Sequence, residues 1–165
     1  MANKWTREKI KIPKTLKPKE RVKIAEVVIN HIINRTTAGY KIDGETKFPR
    51  YTKKYAEEKG VGRGDVDLIL SGEMLEAIEL VSHKAGEIVV GYKSPSDELA
   101  GKVEGNRRGS YGGEPDSAKA RDFLGISQDD LETLVNLYEQ EDEEITKEDI
   151  ERLSRELADE FGEDL

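Results

Sequence analysis

At 165 residues, with 35% hydrophobic and 38% charged side chains, the chain can build one domain with a modest core, a very polar surface and room for an appendage. Cysteine is absent, which excludes disulfides and thiolate metal sites, and no run approaches the ~20 apolar residues needed to cross a bilayer. The net charge of −8 hides an asymmetry: residues 1–60 carry sixteen Lys/Arg against seven Asp/Glu, and residues 139–165 carry thirteen acids against three bases. The front is therefore +9 and the back −10, which leaves +2 on residues 1–138. The opening MANKWTREKIKIPK has no apolar signal-peptide core, so secretion by signal peptide is not expected, and the lack of cysteine suits an intracellular product or a particle assembled inside a cell.

Near the start, Lys9, Lys11 and Lys14 alternate with Ile10, Ile12 and Thr15, the pattern of an extended arm or edge strand ended by Pro13 or Pro18. A helix is predicted from about Pro18, since proline at an early helical position costs no hydrogen bond. Val22, Ala25, Ile29, Ile32 and Ile33 follow helical spacing, with Ile24, Val27 and Val28 widening the face. This most apolar segment is the expected central core helix, and Thr36-Thr37-Ala38-Gly39 should end it.

Asp43-Gly44 between two short extended runs predicts a tight hairpin turn. A short polar helix is expected over 50–59, with Tyr51 and Tyr55 on one face, before Gly60, Gly62 and Gly64 loosen the chain. The next stretch, VDLILSGEMLEAIELVSHKAGEIVVGY, runs from Val66 to Tyr92. Ser71 is a good N-cap. Met74, Leu75, Ile78 and, less regularly, Leu80 give a short helix one apolar face. A polar tip at His83-Lys84-Ala85-Gly86 then leads to a strand, Ile88-Val89-Val90, that Gly91 closes.

Residues 93–120 hold five glycines, two prolines and few large apolar side chains, and predict a long functional loop ordered by a partner. Arg121-Asp122-Phe123-Leu124-Gly125 returns the chain to the core, and Ser127 with Asp130 resembles a capping box. Leu131, Leu134, Val135 and Tyr138 then trace a helical stripe. After the acidic link 139–144, a last helix is expected from Thr146, with a narrow apolar stripe of Ile150, Leu153, Leu157 and Phe161. That stripe is a candidate contact with another subunit or partner protein. No internal repeat occurs.

Chemistry is hard to place on this chain. His31 falls within the core-helix pattern and His83 at the hairpin tip, with no second metal ligand in motif spacing. Asp65, Asp67 and Glu73 lack the turn glycine and bidentate glutamate of a calcium loop. The Arg63-Gly64-Asp65 tripeptide has no supporting context. Gly60, Gly62 and Gly64 are not followed by the Lys-Ser/Thr of a phosphate loop. No serine has the histidine and acid of a hydrolase, so no catalytic residue, metal or cofactor is expected. The basic front is the better candidate: Lys9, Lys11, Lys14, Lys17, Lys19, Arg21 and Lys23 could contact DNA phosphates or an acidic partner. The plainer reading is a solvated arm, since no aromatic residues interleave with the lysines. Trp5 suits an anchor that buries its ring.

Three pieces, LILSGEMLEAI (68–78), IVVGY (88–92) and RDFLGIS (121–127), occur in an order and spacing that resembles the phage tail-completion and head–tail joining proteins of the HK97 gp10-like and virion-morphogenesis type. The resemblance spans residues 48–138; Ala77 stands where that group commonly has serine. It makes Ser71, Gly72, Met74, Leu75, Arg121, Phe123, Leu124 and Gly125 the structural motif positions. It also implies a virion protein of the neck or upper tail, assembled in the host cytoplasm, forming a ring (a hexamer) around the DNA channel. Its partners would be copies of itself and neighbouring connector, tail-terminator or tail-tube proteins, with passing contact to genome DNA and none to membrane. Two rivals are a free DNA-binding accessory protein using the basic front and a small enzyme. The expected fold is α+β: a central helix and flanking helices on a small antiparallel sheet over residues 1–138, then the acidic segment 139–165.

Overall fold

A computed structural model of the chain describes residues 4–49, 57, 72–109, 120–139, 152 and 155. Most of the expected helix at 50–59, the glycines that follow it, Ser71, and the stripe Ile150, Leu153, Leu157 and Phe161 lie outside the described residues. Two compact units divide the chain, Met1–Leu131 and Glu132–Leu165.

The first unit is α+β. Its three strands are β1 (Arg7–Lys11), β2 (Glu79–Lys84) and β3 (Glu87–Gly91), all antiparallel in the order β1-β3-β2. The central place goes to the most apolar strand: Ile88, Val89 and Val90 of β3 are all buried. The alternating N-terminal run is an edge strand, as its sequence predicts, and its pairing runs past β1 through an Ile12 N–H to Gly86 C=O bond of 3.0 Å. Helix α1 (Pro18–Thr37) packs on β2 and β3. Pro18 opens it without loss of a hydrogen bond, and Glu20 accepts from the Lys17 N–H at 3.0 Å. Gly39, at φ 91°, ends it in the left-handed conformation that glycine takes without strain.

The buried line of α1 is Ile24, Val28, Ile32 and Thr36, flanked by Ala25 and Arg35. That corrects the expected stripe, because Val22, Ile29 and Ile33 are only half-buried. Each large apolar side chain on this line contributes roughly 1.5–3 kcal/mol. The Asp43-Gly44 turn forms as expected. Tyr40 bridges Lys47, and Asp43 accepts from the Glu45 and Thr46 backbone and the Thr46 hydroxyl at 2.6–2.9 Å. These bonds, the Thr46 hydroxyl foremost, hold the Asp43 carboxyl down at about 2.

Helix α2 (Gly72–Glu76) is shorter than its apolar spacing suggests. Leu80 belongs to β2 and faces Val90 across the sheet, where it pairs with the buried central strand β3. His83 accordingly lies in β2 rather than at the tip. The larger correction concerns residues 93–120, where Asp97–Arg108 forms helix α3. Ser96 caps it by accepting from Leu99 N–H at 3.1 Å, Leu99 and Val103 bury one face, and Gly109 at φ 68° closes it. Gly101 and Gly105 within the helix dilute the helical signal. Residues 110–119 lie outside the described set.

Residues 128–139 are helical, with Leu131 and Val135 buried and Leu134 and Tyr138 half-buried. The Asp130 N–H donates to Ser127 Oγ at 3.1 Å, one half of the expected capping box. In the second unit, Leu137 is 50% exposed, and Arg152 and Arg155 are helical and exposed.

Candidate interaction surface and the clamps that shape it

The motif segment 121–125, outside any helix or strand, is gripped by two arginines that sequence periodicity does not mark. Arg107 of α3 donates to Asp122 Oδ1 at 2.7 Å, Glu8 Oε2 at 2.8 Å, Trp5 C=O at 2.9 Å and Leu124 C=O at 3.1 Å. Its side chain is 5% exposed. Burial alone would lower its pKa, but the bonds and charges of Asp122 and then Glu8 more than offset this and raise it. The guanidinium also stands 5.8 Å from the centre of the Trp5 ring, which Lys4 and Arg108 approach at 5.3 and 5.2 Å. Trp5 thus holds the N-terminal arm through its carbonyl and these cations, but it is half-buried rather than buried as expected.

Arg35, on the buried face of α1, donates to the carbonyls of Gly125 (2.7 Å) and Phe123. Burial lowers its pKa to about 10, against the pull of Asp122, Asp130 and Asp43, so it stays charged at neutral pH. Between the two clamps Phe123 and Leu124 are fully buried. Arg121 ties the same segment to α3 and to the hairpin: its N–H donates to Asn106 C=O at 2.6 Å and its guanidinium to Pro49 C=O at 3.5 Å.

The other motif pieces meet in the same core. Met74 and Leu75 are buried, and the Tyr92 hydroxyl, whose pKa burial raises, donates to Met74 C=O. Gly91 is where β3 passes closest to the arm: at φ 141°, its missing Cβ would lie 2.2 Å from Thr6 C=O. Tyr92 N–H donates to that same carbonyl at 2.9 Å.

A second polar cluster surrounds His31. Its Nε2 lies 3.7 Å from Asp130 Oδ2, and both atoms are buried without a hydrogen-bond partner among the described residues. Burial and then the charge of Arg35 lower the His31 pKa, while Asp130 opposes them. His83 is used structurally, its Nδ1 accepting from Arg21 Nε at 3.0 Å. Among the described residues no group of three or more His, Asp or Glu could hold a metal ion, and no helix is long and apolar enough to cross a membrane.

The basic front separates into two populations. Arg21 is committed to His83 and Leu16 C=O, and Lys23 pairs with Glu26 at 3.5 Å. Lys9, Lys11, Lys14, Lys17 and Lys19 are exposed, with no carboxylate within ion-pair distance among the described residues. The fold puts Lys9 and Lys11 on one face of β1, the face shared by Lys84 of β2. Sequence reading missed Lys84, because it lies far along the chain from the others. No protein-family model matches the chain, and searches of curated proteins and of solved structures give no match either.

Proposed function

We propose that the protein is a structural component of the phage neck or upper tail, completing the tail or joining it to the head as one subunit of a ring around the DNA channel. The observation that carries this reading is the ordered set LILSGEMLEAI, IVVGY and RDFLGIS. The described parts of all three support it by serving a single purpose: Met74 with Tyr92, Gly91 with the arm, and Phe123 and Leu124 between Arg35 and Arg107 all shape the core. Such a protein works by assembly, its arms and segments ordering as neighbouring subunits bind. The partners in this reading are further copies of the chain and adjacent connector or tail-tube proteins. The stripe Ile150, Leu153, Leu157 and Phe161 is then the segment that docks on them. Mass spectrometry of purified virions tests the proposal: the chain should be present at a stoichiometry of one ring per particle, and its absence refutes the reading.

A second reading, a free DNA-binding accessory protein, draws support from Lys9, Lys11, Lys14, Lys17 and Lys19, which are exposed and have no carboxylate within ion-pair distance among the described residues. It predicts duplex DNA binding by the chain in solution together with absence from the finished particle.

A further inference from the structure

We propose that the open face of the sheet binds the phosphate backbone of duplex DNA without reading its sequence. Residues directly opposite one another on antiparallel strands point to the same side, and alternate residues share a face. The register sets Lys9 level with Val89 and Ser82, and Lys11 level with Glu87 and Lys84. The other side of the sheet carries Ile10, Ile88 and His83 in one row. Arg21 of α1 bonds to that His83, so α1 lies on the second side, while Lys9, Lys11, Ser82 and Lys84 on the lysine side are exposed.

Charge on the open face is unevenly balanced. Glu87 pairs with Lys84 at 3.7 Å, which leaves Lys9 and Lys11 without a carboxylate among the described residues. Lys14 extends the strip at the hairpin end, its Cγ 3.0 Å from where a Cβ on Gly86 would lie. Along β1 the two free lysines stand about 6.7 Å apart, two residue rises of a strand.

The chemistry of the face chooses the ligand. Val89 at its centre is only 8% exposed, so there is no apolar floor on which an amphipathic helix or another subunit's core face could bury itself. No aromatic side chain lies in the two lysine rows, so unstacked bases of a single strand find no platform. What remains is a set of flexible ammonium groups, suited as point charges to phosphates. The chain's net charge of −8 does not forbid this, because salt screens charges beyond about 8 Å at physiological ionic strength.

The inference deepens the neck reading, on which its setting in a DNA channel rests, but its test uses free protein and is independent of incorporation into particles. A labelled 20-bp duplex is titrated with full-length chain between about 50 and 200 mM salt and followed by anisotropy. Binding is expected in the non-specific range, ~10⁻⁴–10⁻⁶ M, with log K falling against log salt at a slope of about −3 for three to four phosphates. The variant Lys9→Gln/Lys11→Gln should lose binding about tenfold and reduce the slope by about 2. Lys41→Gln/Lys47→Gln, with the same charge change on the Asp43-Gly44 hairpin, should bind within twofold of the parent. No binding at 50 mM salt overturns the proposal, as does equal loss in the two variants, which would mark a diffuse effect of net charge. Preference for single strands also overturns it. So does a Lys9→Gln/Lys11→Gln variant that binds DNA normally but changes self-association in sedimentation, which would assign the face to protein contacts. Absence of the chain from virions would defeat the neck reading and leave the titration standing.

Discussion

Gly91 is the position where one added methyl group should do the most harm. Its φ of 141° lies where L side chains are strained, and a Cβ there would meet Thr6 C=O at 2.2 Å and Arg7 Cα at 3.0 Å. Both obstacles are backbone, so no side chain can swing aside to relieve them. The sparse conformation costs about 1–3 kcal/mol, and forcing the arm away from β3 adds about 1–3 kcal/mol of overpacking. The displaced arm would also weaken the Tyr92 N–H to Thr6 C=O bond. Gly91→Ala should therefore lose about 2–6 kcal/mol, a large share of the roughly 5–15 kcal/mol that holds a domain folded. Urea unfolding followed by far-UV circular dichroism measures this directly. A loss below 1 kcal/mol would mean that the arm does not lie against β3 as described, and would remove β1 from the sheet.

The same substitution at Gly101 should have the opposite sign. It sits in α3 with nothing within 4 Å of the place a Cβ would take, so Gly101→Ala should stabilise by about 0.4–1 kcal/mol in the same unfolding assay. Arg107→Met leaves the Asp122 and Glu8 carboxylates without their cation and should cost about 3–5 kcal/mol; Arg107→Lys should recover little, since one ammonium cannot reproduce four forked contacts. Burial and Arg35 lower the His31 pKa below 6.5, so the unfolded chain takes up the proton first. Stability should fall as pH drops below 6.5, and His31→Asn should flatten that limb in unfolding curves taken from pH 7.5 to 5. Asp43, held at about 2 against 3.8, contributes stability above pH 4 that is lost as pH falls through 2, so Asp43→Asn should blunt acid unfolding in that window.

Much of the architecture was legible because the deciding signals are local. Pro18 and Gly39 bracket α1, Lys9 to Ile12 alternate with period two, and Asp43-Gly44 marks its own turn. Residues 93–120 misled because Gly101 and Gly105 lower the helical signal, while the pair Leu99 and Val103 is too short a stripe to show α3. That helix gains from burial what it lacks in propensity. Arg35 shows a different limit. It falls on the buried line of α1, but a charged residue there reads as solvent-facing until its carbonyl partners arrive from residues 123 and 125, nearly ninety positions on. Lys84 was missed for the same reason, since only the register of β2 on β3 brings it beside Lys11.

The cations of the first unit do two distinct jobs, and the side-chain chemistry sorts them. A guanidinium offers five donors in a fixed plane and is weakly hydrated, so it can be buried among carbonyls and carboxylates; an ammonium is a compact, strongly hydrated charge that stays in water. Arginine accordingly fills the internal posts. Arg35 fixes residues 123 and 125, and Arg107 fixes residues 122 and 124 to the arm, while Arg21 joins α1 to β2 at the surface. Lysine stays at the surface, where Lys9, Lys11 and Lys14 keep their charge unspent on any carboxylate of the described chain. The internal arginines would hold the RDFLG segment in place whatever the chain meets, while the surface lysines gain their stabilisation from an external anion. On this argument the positive charge of the first sixty residues overstates the surface available to DNA, and the strip on β1 is the part of it that an incoming phosphate can use.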